Sequence, residues 1–304
     1  MKLSLAIDGR KFVLTEAAVD EFFRRSAKFP LHPRLENALF IYDDASRGAL
    51  ADLYHSFIAV ARSVDVPFLL CTPTWRANRE RLAEAGIDRN VNADAVAFVR
   101  ELKKSWGSWG KNILIGGMIG CKNDSYRPAQ ALGTDAAETF HQWQIDRLCA
   151  AGVDFLIAAT LPAVSEAAGI ARAAEKTGVD CVLSFTIDRD GLILDGSFLS
   201  RAFEEIDGLC RVPPFGYMIN CSYPSFFRSE EEPKSVFSRL IGFQANASSA
   251  DHSALDEAAE RRAEEIPDWG DRMIALNRRY GVKILGGCCG TRVAHLRYLA
   301  DRLG

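Results

Sequence analysis

Eight short apolar runs set the architecture open to this chain: Phe12 to Thr15, Pro67 to Cys71, Ile113 to Gly117, Phe155 to Ala159, Cys181 to Thr186, Phe215 to Asn220, Ile241 to Asn246 and Val282 to Leu285. Each is followed by a polar or Gly/Pro-containing turn and then a stretch with helical spacing, the pattern of repeated βα units on a parallel sheet. The helical stretches are Arg47 to Ser63, Ala93 to Lys104, Asp135 to Ala150, Val164 to Lys176, Ser197 to Glu205, Trp269 to Tyr280 and Val293 to Leu303. Thr134 and Asp135, with Glu138 behind them, offer a cap for the third, and the glycine of AlaGlyVal at 151 to 153 offers its stop. Eight such units without a Gly/Ser linker or a shift in composition predict one (β/α)₈ TIM barrel over residues 1–304. A doubly wound sheet would be expected to carry a GxGxxG fingerprint after its first strand, and GlyArgLysPheVal at 9 to 13 is not one. Two segments break the pattern. Ser222 to Lys234 is expected to be a long loop, and Ser248 to Pro267 a loop with a short helix over the barrel mouth.

Charge narrows the partners. Lys and Arg number 37 against 40 Asp and Glu, a net charge of -3 that provides no basic face for nucleic acid or an anionic membrane. No apolar run reaches the about 18 residues of a membrane span, and MetLysLeuSerLeuAlaIleAspGlyArgLys at the N-terminus turns polar too early for a signal peptide. The expectation is a cytoplasmic protein acting on small molecules.

Eight cysteines without regular spacing do not describe a disulfide scaffold. Cys71, Cys149 and Cys181 lie in apolar runs and are expected to be buried as small hydrophobes, Cys210 to be a spare thiol near a helix end, and Cys121 to sit in a loop four residues past the third strand. The remaining three carry chemistry. GlyGlyCysCysGlyThr at 286 to 291 follows the last apolar run, and Gly287 and Gly290 permit a sharp turn that aims adjacent thiols into a barrel mouth. A tetrahedral zinc site needs a third soft ligand from another strand end, and Cys221, closing PheGlyTyrMetIleAsnCys, is one strand removed from the pair. Cys71 is set aside as lying across the barrel. Three thiolates with one open position suit a catalytic zinc, which would deprotonate an incoming thiol and leave its sulfur nucleophilic toward a cationic methyl donor. A dithiol/disulfide cycle at Cys288 and Cys289 is the competing reading, disfavoured because exchange motifs space the pair by two residues.

These residues resemble the homocysteine S-methyltransferase family. The likeness rests on AsnCysSerTyrPro at 220 to 224 and GlyGlyCysCysGlyThr at 286 to 291. It is supported by ThrProThrTrpArgAlaAsn at 72 to 78, GlyMetIleGlyCysLysAsnAspSerTyrArgPro at 117 to 128, HisGlnTrpGln at 141 to 144, SerPheThr at 184 to 186 and AlaAsnAlaSer at 245 to 248. The resemblance implies a (β/α)₈ barrel, zinc held by Cys221, Cys288 and Cys289, and methyl transfer to homocysteine to give methionine. The donor would be S-methylmethionine or S-adenosylmethionine; the alternative is a relative that methylates or only binds a different small thiol. Where the family carries AspGlyGly after strand one, this chain has Glu16-Ala17-Ala18, and where the family carries Glu-Thr on strand four it has Ala159-Thr160. Glu16 and Thr160 are therefore expected at the substrate, together with Trp75 after strand two, Asp124, Tyr126 and Arg127 after strand three, and Asn220 beside the cysteine.

Overall fold

All eight apolar runs become strands, buried along almost their whole length because neither face of a parallel strand in a barrel meets water. A computed structural model describes residues 2–250 and 263–304. The strands are β1 (Val13–Thr15), β2 (Phe68–Cys71), β3 (Ile113–Gly120), β4 (Phe155–Leu161), β5 (Cys181–Phe185), β6 (Gly216–Asn220), β7 (Leu240–Ala245) and β8 (Ile284–Gly287). They pair in sequence order, all parallel, and the barrel closes where β1 meets β8 with Val13 opposite Ile284 and Leu14 opposite Leu285.

Period-two alternation divides each strand's side chains. Val13, Leu69, Leu114, Phe155, Val182 and Ile284 fill the barrel interior, and Leu14, Leu70, Ile115, Leu156, Leu183 and Leu285 pack outward under the helices. The outer ring contains α3 (Asp44–Ser63), α5 (Val91–Ser105), α6 (Thr134–Ala151), α7 (Val164–Glu175), α8 (Leu199–Leu209), α10 (Ile266–Tyr280) and α11 (Val293–Leu303). Three short helices carry no amphipathic run long enough to announce them: α2 (Asp20–Arg24), α4 (Arg79–Glu84) and α9 (Lys234–Arg239). A fourth, α1 (Leu3–Ile7), places Leu3, Ala6 and Ile7 against the barrel interior from below, where Lys283 Nζ donates to the Ile7 carbonyl at 3.2 Å.

Several local expectations are corrected. The N-cap of α6 is Gly133 with no side-chain bond; Asp135 and Glu138 instead pair with Arg172 of α7, both at 2.8 Å. Gly152 does stop that helix, at φ 83°. Ser222 to Pro233 is a loop interrupted by a single 3-10 turn at Pro224–Phe226, and Lys234, expected to end the loop, already opens α9. Of Ser248 to Pro267, where a loop with a short helix was expected, residues 251–262 lie outside the described residues, and Pro267 already belongs to α10. Cys71, at the end of β2, lies across the barrel from Cys221 on β6, as expected, though only two strands from β8, and its side chain belongs to the interior cluster. Because β3 runs on to Gly120, Cys121 stands immediately after the strand. All eight cysteines are free, and Cys149 is only half-buried.

Leu3 is wholly buried, so Leu3→Ala is expected to leave a cavity under the barrel and to cost about 2–5 kcal/mol in urea unfolding. The mouth lies at the opposite end, and the variant should keep the ligand affinity of the parent.

Candidate active site

The strand ends β6 and β8 meet at the mouth through β7. Asn220 is opposite Gln244, and Gln244 is opposite Gly286, which sets the residues that follow each strand at one level. Cys221 then leaves the sheet at φ 54°, a left-handed conformation uncommon for a non-glycine residue, held by its N–H on the Gln244 carbonyl (3.2 Å) and by Asn246 Nδ2 on its own carbonyl (2.9 Å). On the other side Cys288 N–H donates to Ala245 O at 2.8 Å, and the turn closes at Gly290, φ 80°. Gly287 is required for a different reason than flexibility, since a Cβ there would collide with the Thr291 hydroxyl. That hydroxyl donates to the Cys288 carbonyl at 2.6 Å and accepts from Ala18 N–H at 3.1 Å, tying the cysteine turn to the loop after β1.

The three sulfurs are thereby brought together. Cys221 Sγ lies 2.8 Å from Cys288 Sγ and 3.8 Å from Cys289 Sγ, and all three fall within 4.8 Å of one another. Among the described residues no other set of three or more His, Cys, Asp or Glu side chains has this ligand geometry. Hydrogen bonding to Cys221 and to Cys289, followed by burial, pushes the Cys288 thiol well up, and the bond to Cys221 is the largest cause of the upward shift at Cys289. Three sulfurs so close cannot all ionise unless a cation compensates the charge, so the donor set fits a thiophilic metal.

The sulfurs open on a cavity of about 280 Å³. Six of the seven residues expected around a substrate line it, the exception being Arg127, which is 70% exposed and pairs with Asp124 at 3.4 Å. Tyr126 reaches the sulfur cluster, its hydroxyl donating to Cys221 Sγ at 3.4 Å, and Asp124 Oδ1 orients it by accepting from its N–H at 2.9 Å. Asn220 supports from behind: its Oδ1 accepts from Thr160 N–H (2.9 Å) and Ser184 Oγ (2.7 Å), and its Nδ2 donates to Thr160 Oγ1 (2.8 Å). Thr160 takes φ 60°, left-handed like Cys221, at the register shift near the end of β4. Trp75 Nε1 donates to the Ala159 carbonyl at 3.2 Å.

Glu16 is buried to 4% exposure, and one oxygen accepts from Cys71 N–H at 2.5 Å. Burial raises its pKa to about 8, against the lowering effect of that bond and with a contribution from nearby Asp20, itself raised to about 7 chiefly by burial. Neither Ala17 nor Ala18 has a positive φ, so the backbone here does not need the glycines of the related motif. Sequence reasoning passed over Asp20, Glu36 and Arg76, which also line the cavity, and Glu21. Glu21 accepts from Gly290 N–H (3.3 Å) and Arg292 Nη1 (2.9 Å) and so holds the cysteine turn. Arg76 lay within a segment already singled out, whereas Asp20 and Glu21 sit in the short helix α2 and Glu36 in the irregular stretch after it, none with a periodic signal.

With the geometry in place, comparison gives it a context. The sequence profile described as homocysteine S-methyltransferase matches residues 15–303. No curated protein matches at the level of sequence. Among solved structures, the metallated form of the homocysteine methyltransferase MmuM from Escherichia coli superposes with a TM-score of 0.76 at 18% identity, covering 99% of each chain. The oxidised form of the same E. coli protein gives 0.71 at 18% identity over 98% of this chain and 99% of that one, and its apo form gives 0.65 at 16% over the same shares.

The Glu16 shift has a consequence for stability. A carboxyl group whose folded pKa is raised above its unfolded value stabilises the fold fully below about pH 4.5, and that contribution is lost as pH rises toward about 8. Glu16→Gln keeps an acceptor for Cys71 N–H and cannot ionise. Denaturation midpoints across this range should fall less steeply with pH in the variant; equal slopes would show that Glu16 ionises freely in the native protein.

Proposed function

The chain belongs to the homocysteine S-methyltransferase family, and from that premise we propose that it is a zinc-dependent enzyme of one barrel domain that transfers a methyl group to homocysteine, giving methionine. The observation that carries the reading is the convergence of Cys221, Cys288 and Cys289 from two strand ends onto one cavity. Zinc held by these three sulfurs would bind the acceptor thiol and lower its proton affinity. A metal is also named in one of the E. coli MmuM structures that share the fold.

The chain's own residues do the rest. Tyr126, donating to Cys221 Sγ, fixes the orientation of that ligand from the cavity side. Thr160 and Asn220, bonded to each other, tie the left-handed irregularity of β4 to the end of β6 and with it the level of Cys221. Glu16 and Asp20 present carboxyl groups to the cavity. A cation entering it favours their ionised forms, and both the ammonium of homocysteine and the positive sulfur of S-methylmethionine or S-adenosylmethionine are such cations. The reacting species are small molecules, and no helix among the described residues is long and apolar enough to cross a membrane.

A second reading, a different small thiol as acceptor, is favoured by one observation: β4 places Ala159, without a carboxylate, on the cavity wall beside Thr160. Isothermal titration of the zinc-loaded protein with homocysteine separates the two. For a homocysteine enzyme, wild type binds, and Ala159→Glu binds about tenfold to a hundredfold more tightly through a charge-assisted contact to the ammonium group. Binding by neither protein would transfer the site to another thiol. Metal analysis supplies the other half of the test: about one zinc per chain is expected in wild type, and Cys288→Ser should lose both zinc and methyl transfer while keeping its circular dichroism, because the barrel core is complete without the site.

A further inference from the structure

The loop between β3 and α6 brings Tyr126 to Cys221, and bonds within it, such as Asp124 Oδ1 accepting from Tyr126 N–H at 2.9 Å, shape its middle without anchoring its ends. What fixes those ends lies below it, Glu166 near the N-terminus of α7. Glu166 is completely buried. One oxygen accepts from Lys122 N–H at 2.7 Å and from His141 Nε2 at 2.9 Å; the other accepts from Leu132 N–H at 3.1 Å. The two amides are the two ends of the loop. One carboxylate therefore closes the segment from 122 to 132 into a ring, with Tyr126 inside it. Burial works against the charge, but His141 and the two amides outweigh it and hold the carboxyl below its usual range. From the opposite side Arg76 donates to the carbonyls of Cys121 and Asn123 and to Ser125 Oγ, each at 2.8 Å, which fixes the strand-side half of the same ring.

We infer that Glu166, oriented by His141, is a positioning residue of the methyl transfer: it acts through the loop it closes, by holding the Tyr126 hydroxyl on Cys221. A carboxylate is suited to the task because it can accept from both loop ends and from His141 at once, which a neutral side chain with a single acceptor oxygen cannot do. The inference rests on the proposed function for the reaction it serves, though not for the geometry.

The test is a double-mutant cycle of Glu166→Gln with Tyr126→Phe, assayed for methyl transfer from S-methylmethionine to homocysteine. Glu166→Gln should lower kcat about tenfold or more, with KM and zinc content little changed, and should lower it no further when Tyr126 is already Phe. Equal losses in both backgrounds overturn the inference, since a residue that merely stabilised the barrel would act whatever stood at 126. The same cycle is read a second way, from the rate at which iodoacetamide alkylates Cys221, resolved by mass spectrometry in the protein as purified. If wild type transfers no methyl group to homocysteine, the proposed function fails, and the alkylation cycle still decides this inference: non-additive rates support it and additive rates overturn it. Should Glu166→Gln not fold, His141→Gln, which displaces the donor to Glu166 and leaves the carboxylate in place, is carried through both cycles with the same criteria.

Discussion

The mouth of this barrel is organised by the register of β7. Gln244 pairs with Asn220 on one side and with Gly286 on the other, and this single level decides that Cys221 and the Cys288-Cys289 turn emerge at the same height. Sheet geometry makes the dependence severe, because a slip of one residue exchanges the interior and exterior faces of a strand. The polar bonds at the mouth then refine what the register has set. Cys221 N–H reaches Gln244 O, and Cys288 N–H reaches Ala245 O, so both halves of the sulfur cluster lean on the same central strand.

How much of this was legible in the sequence varied with the length scale of the cause. Eight apolar runs alternating with helical spacing were enough for the barrel, since burial on both strand faces and one apolar stripe per helix are properties of contiguous residues. The vicinal cysteines between glycines, and a third cysteine at another strand end, were enough for the cluster. What could not be read depends on contacts between distant segments. The α6 cap is an example: Thr134, Asp135 and Glu138 form a plausible local motif, but Arg172 on the neighbouring helix draws both acids away. The role of Gly287 is another, fixed by the Thr291 hydroxyl and not by its own dihedral preference. Asp20 and Glu21, in a helix too short to announce itself, and Glu36, in the irregular stretch after it, acquire meaning only when the chain has closed around the cavity.

Charge at the site is distributed unevenly. Glu16 and Asp20 are pushed toward their neutral forms by burial, and hydrogen bonding to Cys221 is the first cause that pushes the Cys288 and Cys289 thiols up. Glu166 lies deeper, yet burial fails to neutralise it because two amides and a histidine converge on it. Groups that face the cavity are thus poised to change protonation when a cation arrives, while the group that shapes the loop beneath them is not. The contrast follows from how many donors each carboxyl group meets.

The short helix α1 gives the barrel a direction. Its apolar residues stop the lower end, and the interior above them is filled by side chains from the strands. Among the described residues the well is closed from below, and the cavity that holds the sulfurs lies at the other end. A reactant and a product that use that end share one doorway, so a methylated product leaves by the way the next methyl donor enters, and turnover becomes a matter of traffic as well as chemistry.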